Sequence, residues 1–253
     1  MMRRALTGLV LAVLAGPVAA QTVDDVIAKS LAARGGLEKL KAVQSIRMTG
    51  RVSGGDRKAT MVIEVKRPAR IRVETLVDGA RAVQAFDGTT AWGIPPMGTG
   101  RPQTLPAEAA RAMAADFDID GPLVDYRAKG HRVELVGKSR VGGREAYEIK
   151  VVRKTGGVER HFLDASSGLP VRVETRRIVR GAEIEGESEI GDYREAGGLL
   201  WPFSIRSGAR GRSERQTLTV ETIEINPALD DARFRMPGSG APRPESDDQE
   251  EES

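Results

Sequence analysis

No cysteine occurs in the 253 residues, and the chain has only two histidines, His131 and His161. The missing thiols exclude disulfide scaffolds, cysteine nucleophiles, Cys-ligated zinc and iron–sulfur clusters. The two histidines are too far apart in sequence to put a pair of metal ligands on one element. Aromatic residues make up 4% of the chain, too few for base-stacking platforms. The sequence pI of about 9.3 therefore describes a charged surface and carries no message about nucleic acid. A P-loop, a GxGxxG turn, an EF-hand loop and a GxSxG elbow are all missing. Nothing here calls for a cofactor, a metal ion or covalent catalysis.

Long apolar runs are also scarce. Arg3 and Arg4 precede the run Ala5–Ala15, which Gly16-Pro17 breaks, and Val18-Ala19-Ala20 places small residues before Gln21. That run is shorter than the ~20 residues of a membrane helix. It reads as a signal peptide over residues 1–20, cleaved after Ala20, which predicts a periplasmic chain with no transmembrane segment once mature. Residues 241–253, ending PRPESDDQEEES, contain six acids and read as a disordered acidic tail. The full chain has 39 basic and 36 acidic residues, a net charge of +3. Without the two ends, 36 bases face 30 acids, so the body over residues 21–240 is more basic than the whole.

What is abundant is alternation. After an opening helix with Asp24 as its cap, and a short second one over Leu37–Val43, period-two patterns recur from Ser45 onward. Examples are Met61/Ile63/Val65, Ile71/Val73, Tyr147/Ile149/Val151 and Trp201/Phe203/Ile205, separated by Gly-rich turns. About nine to eleven strands are predicted, a mainly β domain built as one antiparallel sheet with an apolar face. Thr104–Phe117 interrupts the strands with a helix pattern starting at Pro106, placed to lie across that face. Glu183, Glu185, Glu187 and Glu189 read as the wet face of a strand, available to Arg172, Arg176 and Arg180 on its neighbour.

One catalytic reading was open to test: His161 with Asp164, Ser166 and Ser167. These residues run from a strand into Ser-Ser-Gly, where Asp and Ser are ordinary turn formers, so no catalytic residue is assigned. Ile63, Val65, Ile71, Val73, Trp92, Met97, Met113 and Phe117 could line a cavity or fill a core, and pattern alone favours the filled core.

Three segments resemble the LolA family of periplasmic lipoprotein carriers: Val65-Lys66-Arg67-Pro68, Phe86-Asp87-Gly88-Thr89-Thr90-Ala91-Trp92 with Pro95, and Asp231-Ala232-Arg233-Phe234-Arg235-Met236-Pro237. They occur in the family's order after a signal peptide and helix. Gly197-Gly198-Leu199-Leu200-Trp201-Pro202 resembles the broader class of outer membrane lipoprotein-sorting proteins. The resemblance implies a half-barrel whose concave apolar face is covered by helices. It also implies that those eight residues wall a cavity for acyl chains of lipoproteins or other lipids, and that Arg67 latches the lid helices through backbone carbonyls. Expected partners are an inner-membrane donor and an outer-membrane acceptor. The same resemblance admits an alternative, a periplasmic sensor that docks a protein such as an anti-sigma factor.

Overall fold

The computed structural model describes residues 21–55, 57–179 and 181–238. The signal-peptide and acidic-tail readings, and Arg180, lie outside these residues.

Helix α1 (Val23–Ala33) starts at Thr22, not at Asp24. The Thr22 hydroxyl accepts from the Asp25 N–H, and the Asp25 carboxylate accepts in return from the Thr22 N–H. This reciprocal pair is a capping box, which leaves Asp24 in the first turn. The chain leaves α1 through Gly35, at φ +114°, where any Cβ would sit 2.5 Å from the Gly198 carbonyl oxygen. Helix α2 (Leu37–Ala42) follows.

Six strands come next: β1 (Ser45–Gly54), β2 (Arg57–Lys66), β3 (Arg70–Val77), β4 (Ala80–Phe86), β5 (Ala91–Ile94) and β6 (Gln103–Thr104). Helix α3 (Ala107–Asp116) then leads into β7 (Arg132–Val141), β8 (Arg144–Val152), β9 (Val158–Asp164), β10 (Pro170–Val179), β11 (Ala182–Ala196), β12 (Leu199–Ala209) and β13 (Gln216–Ile225). The helix pattern predicted after Thr104 is α3, with Pro106 at its N-cap. The described residues form 13 strands, more than predicted, because elements as short as β5 and β6 carry no readable period.

All 13 strands share one antiparallel sheet, ordered β6-β5-β4-β3-β2-β1-β13-β12-β11-β10-β9-β8-β7. It does not close, and it curves as a half-barrel. First and last strands meet in the middle, and the two free edges, β6 and β7, are consecutive in the chain. Residues 105–131, with α3, therefore cross from one edge to the other.

Paired residues share a face and neighbours along a strand alternate. The register from Phe86↔Ala91 through Ile71, Val65, Ile46 and Ile225 places these side chains on one face with α3 and α2. On this inner face α3 packs Met113 against Val65, Ile71, Phe86 and Ala91. Helix α2 packs Leu40 with Ile46, Leu199, Trp201, Phe203 and Val220, and α1 packs Val26 and Ile27 on Ile149, Val151 and Leu163. Val124 and Tyr126, from the chain after α3, are buried in the latter two groups. Each fully buried large side chain contributes about 1.5–3 kcal/mol, so the helices are held firmly at this end.

At one end the outer face is covered by residues near 236. Val83, Ala85 and Trp92 pack with Met236, and the Trp92 indole N–H donates to the Phe234 carbonyl at 2.8 Å. Nearby, Glu64, 1% exposed, accepts from Arg47 and from Arg233, both at 2.9 Å. The expected charge ladder is there in part. Arg176 meets Glu183 at 3.5 Å and Arg172 lies 3.8 Å from Glu189, while Glu185 and Glu187 face Arg210 and Arg215.

Candidate functional site

Of the eight residues proposed as a cavity wall, six gather in one place. Val65, Ile71 and Met113 are buried together under α3, with Ile63, Val73 and Phe117 packed against them. Two do not join them. In β5 the alternation turns Ala91 inward, so Trp92 projects from the outer face beside its partner Ala85. Met97, in the loop after β5, is 82% exposed. The causes differ: a strand of four residues is too short to fix the phase of Trp92, and Met97 lies in a loop that carries no period.

Beneath α3 the space is small. A cavity of about 40 Å³, bounded by Val65, Ile71, Ala114, Phe117, Ile119 and the Arg67-Pro68 turn, holds roughly one water. The lid is seated. Further along the inner face the packing stops. Met61, Val52, Leu218, Ile205, Ile190 and Val173 follow one another across β2, β1, β13, β12, β11 and β10. All six are half-buried, and only Leu218 touches one of the buried clusters. An apolar row therefore continues from the covered end of the sheet into one that no described element covers.

The crossing segment is clasped from both halves of the sheet by polar contacts. Arg67, in the turn between β2 and β3, donates Nη1 and Nη2 to the two carboxylate oxygens of Asp120 at 2.9 and 2.7 Å. Its Nε donates to the Val43 carbonyl at 2.7 Å, and Nη2 reaches the Leu40 carbonyl at 3.4 Å. One planar guanidinium thus ties the exit of α2 to the segment after α3, a geometry that its fork of donors suits. Hydrogen bonding to Arg67 holds the Asp120 carboxyl below its ordinary range, against its partial burial, and Asp120 in turn raises Arg67. Lys41 adds contacts to Asp120 at 3.3 Å and Asp125 at 2.5 Å.

From the other half of the sheet, Arg177 of β10 meets Asp116 at 3.1 Å, and Arg153 donates to the Ala115 carbonyl at 3.3 Å. Arg153 also pairs with Glu159, which hydrogen-bonds His161 at 2.8 Å. Burial alone would raise the Glu159 carboxyl, but His161 and Arg153 outweigh it and lower it to about 2. Asp120, Arg153 and Arg177 were not singled out from sequence. The 117–131 segment has no period to mark Asp120, and the two arginines look like any other surface charge.

The His161–Asp164–Ser reading is not assembled. His161 lies on the inner face, paired with Ile149, whereas Asp164 pairs with Ala146 on the outer face. The Asp164 carboxylate is occupied as a turn acceptor for the Ser166 and Ser167 N–H groups and the Ser167 hydroxyl. Among the described residues no helix is long and apolar enough to cross a membrane.

No family model and no curated protein matches the sequence. Solved structures do match the fold. A LolA superfamily protein from Nitrosomonas europaea superposes with a TM-score of 0.57 at 14% identity, covering 85% of this chain and 98% of that one. A DUF1329 family protein from Desulfovibrio piger gives 0.56 at 11% identity, over 85% and 98%. A domain described as outer membrane lipoprotein-sorting, from Vibrio parahaemolyticus, gives 0.52 at 13% identity, over 83% and 94%. The fold is the one these three structures share.

Proposed function

We propose that this chain, with its LolA-superfamily fold, is a non-enzymatic periplasmic carrier that shields acyl chains of lipoproteins or other lipids on their way towards the outer membrane. The observation that supports this best is the apolar row from Met61 to Val173, which continues the packed inner face with no covering element among the described residues. Each methylene removed from water contributes about 0.8 kcal/mol. A curved apolar face can therefore hold a long chain without any covalent step.

The seated lid gives the mechanism its second part. Loading moves α3 and residues 117–131 off Val65, Ile71 and Phe86, and the acyl chain replaces the lost contacts. Arg67 is the latch, and its partners are Asp120 and the α2 carbonyls. Polar contacts suit a reversible closure because water can replace them when the lid lifts. The signal peptide read over residues 1–20 supports the compartment.

The test is transfer of a fluorescent acyl lipid between donor and acceptor vesicles. The wild-type chain should accelerate transfer, and Ile205→Asp, which puts a charge in the middle of the row, should abolish the acceleration without unfolding the protein. Transfer unaffected by Ile205→Asp would remove the inner face from the mechanism.

A further inference from the structure

The outer face of β7–β11 carries a groove of about 430 Å³ that the carrier reading does not use. Ala146, fully buried, with Leu169 and Val171 gives it apolar lining, and Arg144 and Arg172 also line it. By register, Arg172 pairs with Phe162 and projects from the face opposite Val173 and the lid.

Arg172 is unusual in this chain. Its Nε is buried and has no hydrogen-bond partner, and its nearest carboxylates, Glu189 and Glu174, stand 3.8 and 4.0 Å away. Those are ion-pair distances, too long for hydrogen bonds. A guanidinium with only 26% of its side chain exposed is therefore left with donors unsatisfied beside a groove, which is costly unless something accepts from them.

The acids around it are already engaged. Asp164 accepts from Ser166 and Ser167, Asp192 receives Arg194 at 2.9 and 2.6 Å, and Glu189 also faces Arg206 at 3.8 Å. Tyr193 donates its hydroxyl to the Pro170 carbonyl. The remaining donor capacity belongs to Arg172, while Arg144 lies close enough to Asp164 to help hold that carboxyl below its ordinary range.

We infer that this groove binds a small organic anion: a carboxylate or phosphate accepted by Arg172, with a short apolar part lying on Ala146, Leu169 and Val171. The site does not depend on the carrier reading, although Ile190 of the apolar row also lines the groove. A volume of this size suits a ligand of a few to a few tens of heavy atoms, and the planar fork of arginine suits either oxyanion.

The experiment is an NMR titration of the full chain with hexanoate, hexyl phosphate, hexanol and inorganic phosphate, read at the amides of Ala146, Leu169 and Val171. Hexanoate or hexyl phosphate should shift these signals saturably, and the tighter of the two identifies the oxyanion. Hexanol and inorganic phosphate, each lacking one half of the match, should bind at least about tenfold more weakly. Arg172→Gln should lose at least about tenfold in affinity while vesicle transfer stays at the wild-type rate. Arg144→Gln, at an exposed position, provides a second variant and should also weaken binding. Equal affinity for hexanol, unchanged binding in both variants, shifts confined to Met61 and Ile205, or no saturation would each overturn the assignment.

Discussion

Arg67 and Asp120 meet through two parallel hydrogen bonds, 2.9 and 2.7 Å long, that join the turn between β2 and β3 to the segment crossing the open side of the half-barrel. Asp120's side chain is only 7% exposed, so either partner left alone is a largely buried charge. Arg67→Leu and Asp120→Asn should each cost the closed lid about 3 kcal/mol. The double variant should cost little more than either single one. Hydrogen exchange of the 117–130 amides measures this directly. Faster exchange in both variants, with the sheet amides unchanged, is the expected result; additive effects would mean that the two residues act independently.

The clasp to the other half of the sheet should be weaker. Arg177 and Asp116 are 41% and 42% exposed and separated by 3.1 Å, so water screens their attraction. Arg177→Gln should change the exchange of α3 by less than about 1 kcal/mol, and that small effect should vanish in high salt. An effect as large as that of Arg67→Leu would reverse the order of the two clasps.

Glu159 makes stability depend on pH in a defined window. Its carboxyl is lowered from an ordinary 4.5 to about 2, so the charged form is favoured in the folded state. The stabilisation is complete above pH 4.5 and is lost as pH falls towards 2, up to about 3 kcal/mol. Urea unfolding of wild type and Glu159→Gln should differ most near neutrality and converge through this window. A difference that stays constant down to pH 2 would contradict the assigned shift.

On the outer face, Glu64 and Trp92 fasten the C-terminal segment. Glu64→Ala removes the shared acceptor of Arg47 and Arg233, but Arg47 keeps Glu224 at 3.6 Å and Arg233 is 45% exposed, so the cost should be about 1–3 kcal/mol. Trp92→Phe removes only the hydrogen bond to the Phe234 carbonyl and some volume, about 1–2 kcal/mol. Urea midpoints at neutral pH give both values. A Glu64→Ala variant as stable as wild type would mean that this seam contributes nothing.

The alternation of Met61, Ile63 and Val65 with their neighbours made the sheet readable, because one buried face imposes a strict period of two. α3 was readable from Pro106 and the alanine-rich spacing after it. The errors fall where periodicity is short or absent. β5 is too brief to show which way Trp92 points, and Thr22 and Asp24 are both good caps until the reciprocal partner at Asp25 is located. Asp120 was hidden for a different reason: the pairing with Arg67 spans 53 residues and depends on how the crossing segment folds back. The groove around Arg172 needed the same long-range information, since its walls come from five strands, β7 to β11.

The most direct test of the carrier reading is native mass spectrometry of the protein purified from its own cell envelope, followed by lipid extraction. A bound species carrying acyl chains is expected, retained by the wild-type protein and lost from Ile205→Asp. A protein that is always recovered empty, or one recovered with a stoichiometric protein partner and no lipid, would contradict it.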